Sequence, residues 1–256
     1  MSAKPLFSII IPSFNQGKYI SETINSVLSQ SYKNVEILII DGGSEDGTLD
    51  VLGTFGEKIF WLSEPDRGQS HAINKGLALA KGDVITYLNS DDYYLPGTLE
   101  KVAAVLTSGT EERWLTGDYL IVDEQGKSMH SFIAGYKRFL RQWLSFNLLT
   151  VLNPIVQPGT FLTRSLSDRI GAFNEKLHYT MDYDYWLRAI SLQRPVVLRD
   201  KLAVFRIHQR SKGGSQYKKQ FTEELQVAMS YQSNQWFVLL HRLHNLVIHV
   251  SYLALK

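Results

Sequence analysis

The first 95 residues repeat one alternation. Short apolar runs at Phe7 to Ile11, Val35 to Ile40, Ile59 to Leu62 and Val84 to Leu88, mostly rich in Ile and Val, are separated by helical patterns at Tyr19 to Ser29, Gly47 to Phe55 and Gln69 to Ala80. Apolar runs this short are strands covered on both faces. The first and last helical patterns carry small polar residues suited to capping or first-turn positions. The order strand, helix, strand implies a mostly parallel sheet with right-handed crossovers. In such a sheet ligands bind beyond the carboxyl ends of the strands, so chemistry is expected on the loops that start at Pro12, Asp41, Ser63 and Asn89.

Past Asp92 the regularity weakens. A helix around Gly97 to Leu106, a strand at Trp114 to Val122 and a turn at Asp123 to Lys127 precede an aromatic and basic stretch, Tyr136 to Phe146. Pro154, Pro158 and Gly159 mark irregular connection; Phe161 to Arg164 and Pro195 to Phe205 read as strands and Asp182 to Leu192 as a helix. With no low-complexity linker and no internal repeat, one domain over residues 1–215 is expected, regular to about residue 95 and elaborated beyond it. Residues 216–256 are expected to form a C-terminal helical extension.

Composition removes several classes of function. An apolar content of 44% over 256 residues excludes a disordered chain. Twenty-seven Lys and Arg against 25 Asp and Glu, a net charge of +2, give no reason to expect a nucleic-acid partner. The absence of cysteine excludes a disulfide scaffold, a thiolate metal centre and a cysteine nucleophile, and fits a reducing compartment. The run after Leu6 is too short for a signal peptide and lacks a cleavage pattern, so a cytoplasmic location is expected.

The last helical pattern, about Phe221 to Leu255, is strongly apolar from Trp236 onward but contains His241, Arg242, His244 and His249, which argue against a membrane span. Leu239, Leu243, Leu246, Val250 and Leu253 share one face. A helix packed on the domain is one reading. Contact with a membrane surface or a second subunit is the other, favoured by Trp236, Phe237 and Tyr252 and by the absence of any acid after Glu224.

Asn89-Ser90-Asp91-Asp92 directly follows a strand, and paired acids there can hold a hard divalent cation that bridges phosphates. The same acids also read as caps of the following turn. Asp41-Gly42-Gly43-Ser44 with Asp46-Gly47-Thr48 reads as a tight turn that exposes amides and a carboxylate to a polar ligand, or as a structural turn with a helix cap. Neither GxGxxG nor GxxxxGK[ST] occurs, so dinucleotide oxidoreductase and P-loop NTPase readings lack support.

Taken in order, Ile9 to Asn15, Thr23 to Gln30, Glu36 to Thr48, Glu64-Pro65-Asp66-Arg67-Gly68-Gln69-Ser70-His71-Ala72-Ile73-Asn74-Lys75-Gly76 and Leu88 to Asp92 resemble the opening of a family 2 glycosyltransferase of the GT-A fold. Asp182-Tyr183-Asp184-Tyr185-Trp186-Leu187-Arg188 resembles that family's acid-bearing acceptor-side helix, and Arg206-Ile207-His208 its later basic motif. The resemblance covers about residues 7 to 210. It implies an α/β GT-A domain that binds a nucleotide-diphosphate sugar, UDP-linked by preference, and transfers a hexosyl or N-acetylhexosaminyl unit with inversion. The implied acceptor is a glycan or lipid-linked saccharide of surface polysaccharide synthesis, reached from the inner face of the cytoplasmic membrane.

By the same resemblance Pro12, Ser13 and Phe14 line the base and ribose pocket, Asp41 contacts base or ribose, and Arg67 with Asn74 completes the wall. Asn89-Ser90-Asp91 stands at the family's DxD motif, so Ser90 and Asp91 face the donor. Asp91 is the leading ligand for Mn2+ or Mg2+, with Asp92 a second ligand or sugar-hydroxyl acceptor and His208 a further ligand. Asn89 departs from the motif, since its amide carries no charge. Asp182 is the candidate general base; its acidic neighbour in the family is Met181 here. Lys212, Gly213 and Gly214 suggest a mobile basic loop that closes on diphosphate. Without the family, Arg67 reads as a surface ion pair, Asp182 as a helix cap or salt-bridge partner and His208 as a packing histidine. His71 reads as helix packing or acceptor lining. Tyr136, Lys137, Arg138, Phe139 and Trp143 read as an acceptor groove or as core aromatics beside a solvated basic face. Competing functions are a sugar-1-phosphate nucleotidyltransferase and a noncatalytic sugar-nucleotide or glycan-binding subunit.

Overall fold

Successive side chains of a strand point to opposite faces, and the first strand is apolar on both. In β1 (Phe7–Ser13) Ile10 joins one buried cluster, with Leu38, Ile40, Ile73, Ile85 and Trp186, while Phe7, Ile9 and Ile11 join another, with Ile20, Ile24, Ile37 and Ile39. The sheet is therefore a middle layer with helices on both sides, as the unbroken apolar runs require. The computed structural model describes residues 4–106, 111–129, 131–209 and 217–254.

The first half follows the expected alternation: α1 (Ile20–Leu28), β2 (Val35–Asp41), α2 (Thr48–Gly53), β3 (Phe60–Ser63), α3 (Gln69–Leu79), β4 (Val84–Tyr87), β5 (Tyr93–Tyr94) and α4 (Thr98–Val105). Neither α1 nor α3 has a side-chain cap: Tyr19 and Gly68 occupy those positions, so the polar residues expected to cap serve in the first turns. The second half supplies β6 (Trp114–Val122), β7 (Ser128–Met129), α5 (Ser131–Arg141), α6 (Phe146–Val151), β8 (Thr160–Thr163), α7 (Arg164–Ile170), α8 (Met181–Leu192) and β9 (Val196–Arg206). The C-terminal pattern is two helices, α9 (Tyr217–Tyr231) and α10 (Gln235–Ala254), not the single one expected. The break is made by Asn234, whose Oδ1 accepts from Trp236 N at 2.9 Å at the start of α10.

One sheet joins the halves in the order β3-β2-β1-β4-β8-β6-β9-β5, with β7 beside β6. β1 is parallel to β2 and β4, and β2 to β3; β8 is antiparallel to both β4 and β6, and β9 is parallel to β6. Two reversals cancel, so β1, β2, β3, β4, β6 and β9 run the same way. Their carboxyl ends, Ser13, Asp41, Ser63, Tyr87, Val122 and Arg206, lie along one edge. α3 can sit close to β1 because it carries Gly76 there: a Cβ would lie 2.4 Å from Ile10 Cγ2.

The C-terminal helices are packed on this domain. Val227 and Ala228 of α9 belong to the core cluster that holds Trp114 and Trp186. Buried His241 of α10 meets Thr150 O through Nδ1 at 2.9 Å. The face of α10 that bears Leu239, Leu243 and Leu246, a candidate packing face from its periodicity, points to solvent instead, and Val238 and His241 lie inward.

Candidate active site

The edge is built from the ends of β1 and β2 outward. Ser13 pairs with Asp41 in the ladder, which Gly42 N to Ser13 O (2.8 Å) and Glu64 N to Asp41 O (3.1 Å) extend. Pro12 and Ser13 are buried, and Phe14 just beyond is 60% exposed. Ser13 Oγ is buried without a hydrogen-bond partner among the described residues, whereas buried polar atoms are normally satisfied.

Asp41 takes the structural of the two readings of its turn. Its carboxylate is wholly buried and accepts from Gly43 N (3.0 Å), Ser44 N (2.8 Å), Ser63 Oγ (2.8 Å) and Ser44 Oγ (2.6 Å). It holds the turn and the end of β3; the turn does not expose it. The loop after β1 is bound to the same turn through Asn15 N to Ser44 Oγ (2.7 Å) and Glu45 N to Asn15 Oδ1 (2.9 Å). Asn15 takes φ +53°, a conformation asparagine tolerates.

Arg67 and Asn74 do come together, through a residue that no motif signalled. Glu175 receives Arg67 Nη2 at 2.7 Å on Oε2 and Asn74 Nδ2 at 3.1 Å on Oε1. Asn74 also brackets Phe173, accepting its N–H at 2.8 Å and donating to its carbonyl at 3.0 Å. Arg67 is the exposed half of that ion pair, as the plain reading had it. His71 Nδ1 accepts from Arg67 N at 3.2 Å and so packs locally.

The turn after β4 separates the two acids. Asp91 Oδ2 lies 2.9 Å from His208 Nε2, and the His208 ring packs on Tyr19 with centroids 4.7 Å apart. Asp92 turns inward and is wholly buried; it accepts from Arg206 N at 3.0 Å and Asn89 Nδ2 at 3.1 Å. Burial and the neighbouring Asp91 hold its carboxyl well above the usual carboxylate range. So placed, Asp92, expected as second metal ligand or sugar-hydroxyl acceptor, is a strut between β4 and β9. Ser90, expected to face the donor, is likewise buried, with its carbonyl accepting from Thr23 Oγ1 at 2.9 Å. Asn89 accepts from Gln69 (2.7 Å) and donates to Gln157 (3.1 Å) as well as Asp92. An amide can donate and accept at once, which a carboxylate here could not.

Arg206 completes this cluster. Its guanidinium donates to Asp91 O at 3.1 Å, pairs with Glu22, and lies 5.3 Å from the ring centroids of Tyr19 and Tyr93. Asp91 and His208 present an oxygen and a nitrogen donor side by side, a set that suits Mn2+ and, less closely, Mg2+. Among the described residues no group of three or more His, Cys, Asp or Glu side chains is placed to hold a metal by itself. The basic loop expected at Lys212, Gly213 and Gly214 lies outside the described residues.

Asp182 opens α8. Its Oδ1 accepts from Tyr183 N at 2.8 Å, and Oδ2 accepts from no described residue. Burial raises its carboxyl, against the backbone bond and Lys137, which lower it. Asp184, two residues on, points away to Arg188 (2.9 Å) and Tyr231 (2.8 Å). The buried Tyr87 phenol at the end of β4 is held well up by burial, with Asp182 and then Asp92 acting on it. The two acid-bearing turns thus flank one strand end.

Two further acids reach Asp182 from α9. Glu223 Oε2 accepts Tyr179 N (2.7 Å), Thr180 N (2.8 Å) and Thr180 Oγ1 (3.0 Å), while Oε1 accepts His178 N (3.0 Å). Glu224 is pushed up to about 7 by burial, with Lys137 opposing and Asp182 reinforcing.

These features define an α/β domain with its polar site on the carboxyl edge of a sheet. The Glycosyl transferase family 2 model matches residues 8–145, and the chain belongs to that family. An uncharacterised glycosyltransferase of Rickettsia typhi is 32% identical over 206 residues, which are 80% of this chain and 64% of that protein. The chain thus spans just under two thirds of this relative. TarS residues 1–349 of S. aureus, solved with UDP-GlcNAc, superimposes with a TM-score of 0.69 at 20% identity, covering 88% of this chain and 66% of that one. The mannosyltransferase PcManGT of Pyrobaculum calidifontis, solved with GDP-Man and Mn2+, gives 0.66 at 16% identity, covering 99% and 81%. Their common architecture with this chain is the GT-A fold.

Proposed function

We propose that the chain is an inverting glycosyltransferase that moves a sugar from a nucleotide diphosphate, UDP first, to a glycan or lipid-linked hydroxyl in surface polysaccharide synthesis. The observation that carries this reading is that Asp182 and the acid-bearing turn that contains Asp91 and Asp92 both lie near the end of β4, where Asp182 and Asp92 act on Tyr87, within a family 2 chain. The donor base would lie against Pro12, Ser13 and Phe14, with the unpartnered Ser13 hydroxyl and exposed Arg67 as its polar contacts. The UDP-GlcNAc bound by the similar TarS structure supports UDP as the first choice. Asp91 and His208 would hold a divalent ion, which when bound supplies positive charge to the departing diphosphate. Asp182 accepts the proton of the acceptor hydroxyl as its oxygen bonds to the anomeric carbon and the bond from that carbon to diphosphate breaks. A carboxylate whose affinity for protons is raised by burial suits that task.

Calorimetry with UDP, GDP and dTDP, with and without manganese, tests the donor side on the native protein and on Asp91→Asn. UDP binding that needs both manganese and Asp91 is expected. Asp182→Asn should retain donor binding and lose about a hundredfold or more in turnover. Native turnover by Asp182→Asn would overturn its role as base.

A further inference from the structure

Two helices beside the acceptor side leave large apolar side chains in water. On α5, Phe132 is 85% exposed, and Tyr136, Phe139 and Trp143 just past its end continue the same stripe at spacings of four, three and four residues. On α10 the outward stripe is Trp236, Leu239, Leu243, Leu246 and Val247, with Trp236 62% exposed. The stripes adjoin, since the Tyr136 and His244 rings lie nearly parallel with centroids 6.4 Å apart. Scattered apolar residues on a surface need no explanation, but contiguous rows on neighbouring helices do.

The charge around them selects the occupant. No Asp or Glu occurs from Gln125 to Ser167, which includes α5, or from Leu225 onward, which includes α10. The cations of these stretches include exposed Arg242, half-buried Lys137, and Arg138, which is paired with buried Asp118. Trp, Phe and Tyr beside Lys and Arg, with no carboxylate in either stretch of sequence, is the chemistry of a helix lying in the headgroup layer of an anionic bilayer. A two-fold contact between copies would set this acid-free face against itself, cation opposite cation. Among the described residues no helix is long and apolar enough to cross a membrane.

We infer that α5 and α10 together form a docking face for the surface of an anionic lipid bilayer. Lys137, on α5, acts on Asp182 and Glu224, so docking would bring the lipid surface beside the acceptor-side acid. The inference does not depend on the transferase reading.

Flotation with vesicles of phosphatidylcholine alone and of phosphatidylcholine with phosphatidylglycerol tests it. The protein is expected to float with the anionic vesicles. The double variants Phe132→Ser with Trp143→Ser and Leu243→Ser with Leu246→Ser should each lower the bound fraction on the order of tenfold or more. All four positions are exposed, so unchanged thermal unfolding is expected and verifies folding. Equal flotation of native protein and variants, or no flotation with anionic vesicles, overturns the inference. So does a concentration-dependent dimer in sedimentation without lipid that the same substitutions abolish.

Discussion

Replacing Glu224 by glutamine should change how stability depends on pH, with a sign that follows from the structure. Glu224 shares its surroundings with Asp182, Glu223 and Lys137, and burial pushes it from its ordinary 4.5 to about 7. Between those values the unfolded chain has released this proton and the folded chain retains it. Stability therefore falls as pH rises through the window, is fully present below it and is lost above about 7. The displacement corresponds to at most about 3 kcal/mol. Glu224 is partly open to solvent, so about 1–3 kcal/mol is the working expectation. Urea unfolding of native protein and Glu224→Gln at about pH 4 and about pH 8.5 measures it. The two should agree within about 0.5 kcal/mol at the lower pH, where both side chains are neutral, and the variant should be more stable at the higher. Lys137→Met, which removes the opposing cation, should deepen the native loss. An identical difference between Glu224→Gln and native protein at both pH values would refute the reasoning.

Asp118 is buried on β6 between Arg138 Nε and Arg141 Nη2, each at 2.5 Å, and Arg141 is itself 1% exposed. Asp118→Asn leaves a buried guanidinium without its counter-charge and should cost about 3–5 kcal/mol in urea unfolding; a loss below about 1 kcal/mol would contradict the pairing. Asn74→Ala unpairs both backbone groups of Phe173 and should cost about 1–3 kcal/mol. Arg67→Ala removes an exposed pair and should change stability by less than about 1 kcal/mol while weakening UDP binding in calorimetry. Unchanged UDP affinity would assign Arg67 to Glu175 alone.

The strands and helices of the first half were legible because each apolar run is continuous and each helical pattern lies between two of them. Asp182 was legible as the acid that starts α8. What consecutive residues do in a turn was not: Asp91 and Asp92 are adjacent in sequence, yet one meets His208 and the other the backbone of Arg206. That choice is made by β9, over a hundred residues away, through the amide of Arg206. Asp41 looked available because a carboxylate before Gly-Gly-Ser can face a ligand or close the turn, and only the register with Ser63 puts four donors around it. Glu175, Gln157 and Glu223 carry no local signal, being single polar residues whose partners are distant. The break between α9 and α10 did carry one, since Ser233-Asn234 ahead of an apolar run is a helix start.

The adjacent acids of α9 explain why the last helices belong to the site. On a helix, neighbouring residues diverge by about a hundred degrees, so Glu223 and Glu224 cannot serve one partner. Glu223 gathers the amides of His178, Tyr179 and Thr180 and fixes the approach to α8; Glu224 adds a titrating charge beside Asp182. Tyr231, at the far end of the same helix, bonds Asp184 on α8 at 2.8 Å. The helix is thus tied at its middle to the loop before α8 and at its end to α8 itself, and α10 follows it after three residues with its apolar stripe outward. α9 therefore stands between α10 and the loop that precedes Asp182 in the chain of contacts. The coupling has a direct consequence: Glu223→Gln weakens the hold on three amides and should raise hydrogen exchange at His178, Tyr179 and Thr180 while leaving the Asp91 cluster protected. Equal exchange in native and variant protein would sever α9 from the loop that precedes Asp182.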